Sequence, residues 1–369
     1  MSQPQIEIQI IAVIVAVACA LPGVFLVLRR MALMSDAISH AILLGIVLAF
    51  FASGDITSPL LVLGAAVMGV ITVTLVEVLA GTRLVGKDAA IGLVFPALFS
   101  IAVILISRFA GSVHLDTDAV LLGEIAFAPF QRFAVNGYDL GPQAAWIMGS
   151  VLVLNLVFVL AFYKELKLAT FDAALAATLG FSPAIIHYAL MSLVSITAVG
   201  AFNAVGSILV VALMIAPAAT AYLLTDRLVR MIQLSALFGA LGALSGYWLA
   251  HLLDASIAGS MATMSGAFFG GALLLAPERG LIAAARRRTR QRWRFAETML
   301  AIHLFNHEGA PEAAEETRED RIERHLSWPP EFASRVVHGA QREGFVVRRE
   351  GLLSLTERGR KLASDALVA

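Results

Sequence analysis

The chain is poor in charge and in cysteine, and both shortages limit what it can be. Charged residues make up 15% of its 369 residues, and 27 Lys and Arg balance 27 Asp and Glu. Net charge is therefore zero and points to neither an acidic nor a basic partner. The lone Cys19 lies in the first apolar run, which excludes a disulfide framework. No basic stretch precedes that run, so we do not expect a cleaved signal peptide.

Hydrophobic residues are abundant instead, at 59% of the chain with a mean hydropathy of +0.82. A soluble domain holds about 45–50% apolar residues, and a bilayer span needs about 20 in a row. We therefore predict an all-α polytopic membrane protein of about nine spans. An eight-span alternative stays open, because the second segment is short enough to be re-entrant or broken. The predicted spans are 7–28, 38–53, 59–80, 89–108, 143–163, 184–205, 207–224, 229–251 and 258–276.

Basic residues follow every second span, and cytoplasmic loops carry the Lys and Arg excess. This pattern places the N-terminus outside and the C-terminus in the cytoplasm. Arg108 and Arg132, in loops assigned to the outside, are the exceptions. The basic residues are Arg29 and Arg30, Arg83 and Lys87, Lys164 and Lys167, Arg227 and Arg230, and Arg279 with Arg286–Arg288.

The stretch Leu28–Phe50 carries the most informative pair of residues. Asp36 and His40 are four residues apart, so they share one face of a helix. Ionisable groups in a membrane segment are costly and tend to mark a substrate or ion path. A carboxylate with an imidazole suits Mn²⁺, Fe²⁺ or Zn²⁺. The alternative is that Asp36 caps the second helix and His40 is a core histidine.

Two further groups of acidic residues and histidines are weaker metal-site candidates. Asp116 and Asp118 lie in the outside loop 110–142, where they could guide cations, although a solvated acidic surface is the favoured interpretation. An apolar patch in this loop, Ala119–Phe130, predicts a short helix. His251 and Asp254 form a second His/Asp pair at the outer end of the eighth span.

The cytoplasmic segment 164–183 predicts a short helix that Asp172 caps and Gly180 ends. Its apolar residues would form a small knob suited to docking a motor subunit. An ordinary amphipathic loop helix is the alternative.

The composition changes after Arg286–Arg294, which predicts two domains, residues 1–285 and 286–369. The second is predicted to be a small α+β domain. Between 293 and 369 it holds 11 Lys or Arg and 13 Asp or Glu, so we do not expect nucleic-acid binding. Its predicted helices are Trp293–Asn306, Glu316–His325 and Pro330–Arg342, followed by two strands around Glu350–Gly351 and a helix from about Thr356. The spacings of its four histidines, His303, His307, His325 and His338, indicate no compact metal site.

Residues 81–88, GTRLVGKD, come close to a phosphate-binding loop. Asp88 stands where that loop needs Ser or Thr for magnesium, and the stretch separates two spans instead of following a strand. We therefore expect no ATPase activity from this chain.

Three stretches resemble the membrane subunits of bacterial ABC importers for manganese, zinc and iron. They are LRRMALMSDAISHAILLGIVLAF, FDAALAATLGFSPAIIHYALM and AVGSILVVALMIAPAATAYLLT. The resemblance implies that Asp36 and His40 gate the metal path. It implies an ATPase-coupling helix at Phe171, Asp172, Leu175, Leu179 and Gly180. The C-terminal run GFV…GLLSLTERGR is similar to a winged helix-turn-helix of the diphtheria-toxin-repressor type.

The resemblance also implies how the chain works. It would be the permease of an ATP-driven importer in the bacterial inner membrane, moving Mn²⁺, Zn²⁺ or Fe²⁺ and holding no permanent cofactor. Its implied partners are a cytosolic ABC ATPase, an extracytoplasmic metal-binding protein and a second permease, identical or paralogous. A membrane-anchored metal-responsive regulator and an ion-gradient-driven carrier remain the alternative functions.

Overall fold

The computed structural model describes residues 2–55, 58, 60–109, 125–135, 138–349 and 351–368. The chain divides into two compact units, Met1–Gly280 and Leu281–Ala369. We call these the membrane unit and the second unit. The division falls slightly before the predicted boundary, because one helix runs from Leu281 through the basic stretch to Asn306.

Nine helices among the described residues are long and apolar enough to cross a membrane, which confirms the predicted number of spans. The second is continuous over 22 residues, so the re-entrant alternative was wrong. The nine are α1 Gln3–Leu28, α2 Ala32–Ser53, α3 Leu60–Gly81, α4 Lys87–Phe109, α5 Gln143–Ala161, α8 Pro183–Val205, α9 Ser207–Leu224, α10 Leu228–Leu253 and α11 Ile257–Leu275. Two short helices, α6 Tyr163–Phe171 and α7 Ala173–Thr178, separate α5 from α8.

Helix α1 lies at the centre of the membrane unit, against α5, α8, α9 and α10. Polar side chains join these helices inside the apolar core. Asn155 of α5 donates to the carbonyl oxygen of Ala18 at 2.8 Å and to Thr197 of α8 at 3.0 Å. Interhelical hydrogen bonds of this kind hold spans together where lipid offers no hydrophobic drive to associate.

Helix α2 packs directly against α3 through two glycines. A Cβ on Gly64 would lie 2.6 Å from the carbonyl oxygen of Gly45, and a Cβ on Gly45 would meet the carbonyl of Gly64. Only residues without a side chain allow two helix backbones to approach this closely. This contact fixes the position of α2, which carries Asp36 and His40.

The loop before α5 contains a hairpin that was not predicted. A 3₁₀ helix, Ile125–Phe130, covers the described end of the predicted apolar patch, while residues 119–124 lie outside the described part. Strands β1 Arg132–Val135 and β2 Tyr138–Pro142 then pair antiparallel. Arg132 was an exception to the predicted distribution of basic residues. It contacts Glu7 at 2.9 Å and Asp139 at 2.7 Å, so its positive charge is neutralised.

The second unit has its own apolar core and nearly the predicted order of elements. The prediction of one helix over Glu316–His325 was wrong. The segment contains the last residue of one short helix, a turn and a second short helix. Between them, the amide of Leu353 donates to the Thr317 carbonyl and the Glu319 amide to the Gly351 carbonyl, which takes these backbone groups out of any helix. The elements are α12 Leu281–Asn306, α13 Ala313–Glu316, α14 Ile322–His325, α15 Pro330–Arg342, β3 Val346–Arg349, β4 Leu352–Leu355 and α16 Glu357–Val368.

Candidate functional site

Asp36 and His40 meet on one face of α2, as their spacing predicts. His40 Nε2 lies 3.3 Å from Asp36 Oδ1. Helix α2 begins at Ala32 after Met31, so Asp36 lies in the second turn and does not cap the helix. The capping alternative was therefore wrong.

Two phenylalanines of α4 hold the imidazole in place. Phe95 stacks on His40 with ring centroids 5.8 Å apart, and Phe99 meets the ring edge-on at the same distance. The side chain of Asp36 stays 40% exposed and that of His40 26% exposed. Both side chains are thus partly accessible within the span, while the ring contacts favour one orientation of the imidazole.

The distance between the two atoms suits a shared divalent ion. Two ligands at about 2.1 Å from a metal lie about 3.0 Å apart across a right angle and about 3.4 Å apart across a tetrahedral angle. The observed 3.3 Å falls within this range. A stable closed zinc cage takes four protein ligands, so a pair alone suits an ion in transit.

The short helix α7 has the cap and stop that the sequence predicted. The Asp172 carboxylate accepts from the amide of Leu175 at 2.9 Å, and Gly180 follows the helix with φ +87°. Phe171, Leu175 and Leu179 are large apolar side chains exposed by 61%, 46% and 57%. We call these three residues the apolar knob. Its exposure outside the nine spans is what a protein partner requires.

A polar network that the sequence did not indicate joins this region to the spans. Arg29, after α1, donates from Nε to Thr170 of α6 at 3.1 Å and from Nη1 to His187 Nδ1 at 3.1 Å. Since a guanidinium can only donate, Nδ1 is the acceptor, and Nε2 of the same ring lies 2.5 Å from Glu77 Oε1 of α3. No spacing rule links Glu77 with His187, because they lie so far apart in the chain.

The structure adds no support for the weaker metal-site candidates. His251 is exposed at the end of α10 and packs edge-on against Trp248, and Asp254 adopts a left-handed backbone with φ +50°. Neither has an ion pair among the described residues. Asp116 and Asp118 lie outside the described part. All four assignments stay predictions.

Residues 5–276 match the ABC 3 transport family. The chain belongs to this family. Residues 81–88, whose sequence comes close to a phosphate-binding motif, join two spans of an ABC 3 permease. The ATPase of such a permease is a separate subunit.

Relatives of this ABC 3 family member carry names that include a metal. The chain is 48% identical to the zinc transport system membrane protein TroD of Treponema pallidum (strain Nichols) over 361 residues, 98% of each chain. It is 49% identical to the manganese transport system membrane protein MntD of Bacillus subtilis (strain 168) over 270 residues, 73% of this chain and 91% of that one. The solved structure of PsaBC from Streptococcus pneumoniae in complex with Fab matches with a TM-score of 0.63 and 31% identity, over 76% of this chain and 94% of that one.

Proposed function

We propose that the chain is the permease subunit of an ATP-driven importer that moves a divalent transition metal, Mn²⁺, Zn²⁺ or Fe²⁺, across the bacterial inner membrane. The observation that carries this proposal is the Asp36–His40 pair, held 3.3 Å apart on a membrane-spanning helix of an ABC 3 family chain. Manganese and zinc in the names of its relatives agree with the donor chemistry of that pair.

Asp36 and His40 act as a gate for the ion. The carboxylate offers charge and the imidazole offers a nitrogen, so together they replace part of the ion's hydration shell. With only two ligands per chain, the ion is held weakly enough to leave. A second permease, identical or paralogous, would bring a second pair to the path.

The apolar knob docks a cytosolic ABC ATPase. Phe171, Leu175 and Leu179 are exposed together, and Thr170 beside them bonds to Arg29. Movement of the knob would reach α3 and α8 through Arg29, His187 and Glu77. In this arrangement the cytoplasmic side holds the apolar knob, both ends of that network (Thr170 and Glu77) and the C-terminus of the chain. This orientation is in accord with the distribution of Lys and Arg. An extracytoplasmic metal-binding protein delivers the ion from the other side.

The comparisons do not support the regulator alternative, since the matching relatives are named as transport system membrane proteins. An ion-gradient-driven carrier would need no ATPase and would leave the exposed knob without a purpose.

Uptake of radiolabelled Mn²⁺, Zn²⁺ and Fe²⁺ tests the proposal in a strain that lacks its own importers. The chain is co-expressed with its neighbouring ATPase and binding protein, as wild type, as Asp36→Ala and as Asp88→Asn. Asp88 is the matched control, because it is an exposed carboxylate at the start of another span. We expect uptake that needs the ATPase and Asp36 but not Asp88. ATPase-independent uptake would favour the carrier, and full uptake by Asp36→Ala at normal protein level would overturn the gate.

A further inference from the structure

Three side chains of the second unit come together although only two of them, His303 and His307, are at helical spacing in the sequence. Three possible ligand atoms lie within 4.8 Å of one another: one imidazole nitrogen of His303, one of His307 and one carboxylate oxygen of Glu316. His303 lies in the last turn of α12, His307 follows directly after that helix, and Glu316 ends α13. The histidine spacings alone do not indicate this group, because a turn between α12 and α13 supplies the carboxylate.

His325 of α14 extends the group to four. Its Nδ1 lies 2.9 Å from Glu316 Oε2, the same oxygen that lies 3.8 Å from His303 Nε2. The rings of His303 and His325 stack with centroids 5.8 Å apart. His338 is exposed on α15 and outside the group.

The hydrogen bonding of His303 prepares the ring to bind a metal. The backbone carbonyl of Glu316 accepts from Nε2 at 3.1 Å, which leaves the lone pair on Nδ1. Metal-ligating histidines commonly donate their other ring N–H to a backbone carbonyl in this way. The side chain of His303 is only 11% exposed, so its ring is held within the unit.

We propose that His303, His307 and Glu316 bind a divalent transition metal ion, with His325 as a fourth ligand or as the partner that orients Glu316. Imidazole-rich sites with one carboxylate suit Zn²⁺ better than Mn²⁺. Binding would draw the ligand atoms from spacings of up to 4.8 Å to about 3.4 Å around a tetrahedral ion. The turn after α12, with Gly309 at φ +84°, lies between the two sides that must approach.

This proposal does not depend on transport, because it concerns equilibrium binding to residues beyond Gly280. The first measurement is Zn²⁺ binding to the purified full-length chain in an Asp36→Ala background, which removes the gate pair. Variants His307→Asn and Glu316→Gln each delete a ligand, and His338→Asn is the matched control. We expect one bound Zn²⁺ in the background protein and in the control, and at least a 10-fold loss of affinity in both ligand variants. His325→Gln should weaken binding about 10–100-fold if it orients Glu316.

The second measurement needs no ligand variant and so does not depend on how well the variants fold. Diethyl pyrocarbonate modifies exposed histidines, and bound Zn²⁺ should protect His307 and His325 but not His338. Equal modification with and without Zn²⁺ would overturn the proposal. So would equal Zn²⁺ affinity in the ligand variants and the His338 control, provided that amide exchange shows an intact α15 in each.

Discussion

The proposed metal sites of the two units combine histidines with acidic residues in two different arrangements. In the membrane unit, Asp36 and His40 lie on one helix and leave most of an ion's coordination sphere open. In the second unit, His303, His307 and Glu316 come from two elements, with His325 from a third. The first arrangement suits an ion that passes through and the second an ion that stays. The two proposed sites therefore differ in the number of elements that contribute ligands, while their residue types are alike.

Asp36→Asn should have the largest effect and should affect one site alone. Removing the charge takes away the only carboxylate of the pair, so metal uptake should fall to the level seen without the ATPase. The second unit should still bind its Zn²⁺ with unchanged affinity, measured on the purified variant. Loss of both properties would show that the two sites are not separate.

Leu175→Asp combined with Leu179→Asp should abolish uptake while leaving both metal sites intact. Two carboxylates on the apolar knob would have to be desolvated when the ATPase docks, which costs several kcal/mol. Co-purification of the ATPase with the chain measures the docking. Leu84→Asp is the control, because Leu84 is 86% exposed in another loop between spans. Retained ATPase binding in the double variant would remove the knob from the interface.

Gly64→Ala should destabilise the membrane unit by about 1–3 kcal/mol, because the added methyl overpacks the contact with Gly45. Gly92→Ala in α4 is the control, since a Cβ there meets nothing within 4 Å. Thermal unfolding in detergent measures the difference. Unfolding of the second unit, followed by amide exchange in α15, should not change.

Glu297→Gln should have the smallest effect, and in the second unit only. Burial and then the neighbouring Glu343 raise the pKa of Glu297, which disfavours its charged form in the folded chain. A raised carboxyl pKa costs stability above the folded pKa, and that cost disappears as pH falls and the group is protonated. The variant should therefore gain up to about 1 kcal/mol at neutral pH, since solvent screens much of the effect, and nothing at acidic pH. Amide exchange in α12 at the two pH values measures it.

Features that depend on neighbours in the chain could be predicted from the sequence. The nine spans, the Asp36–His40 pair and the Asp172 cap all follow from runs or from spacings of three and four residues. The cluster of His303, His307 and Glu316 could not be predicted in this way. Glu316 reaches the histidines through a turn whose path depends on pairing with residues 351–353. The network of Arg29, His187 and Glu77 was missed for the same reason. The hairpin at 132–142 had a usable signal, since Asn136–Gly137 is typical of a two-residue turn.

The glycine contact between α2 and α3 has a mechanical consequence. With no side chain between Gly45 and Gly64, the two helices have no side-chain layer between them that could yield. Helix α2 carries Asp36 and His40, and α3 carries Glu77. We therefore expect the two helices to move together when the proposed gate opens, so that the surrounding lipid has to fit the profile of a helix pair.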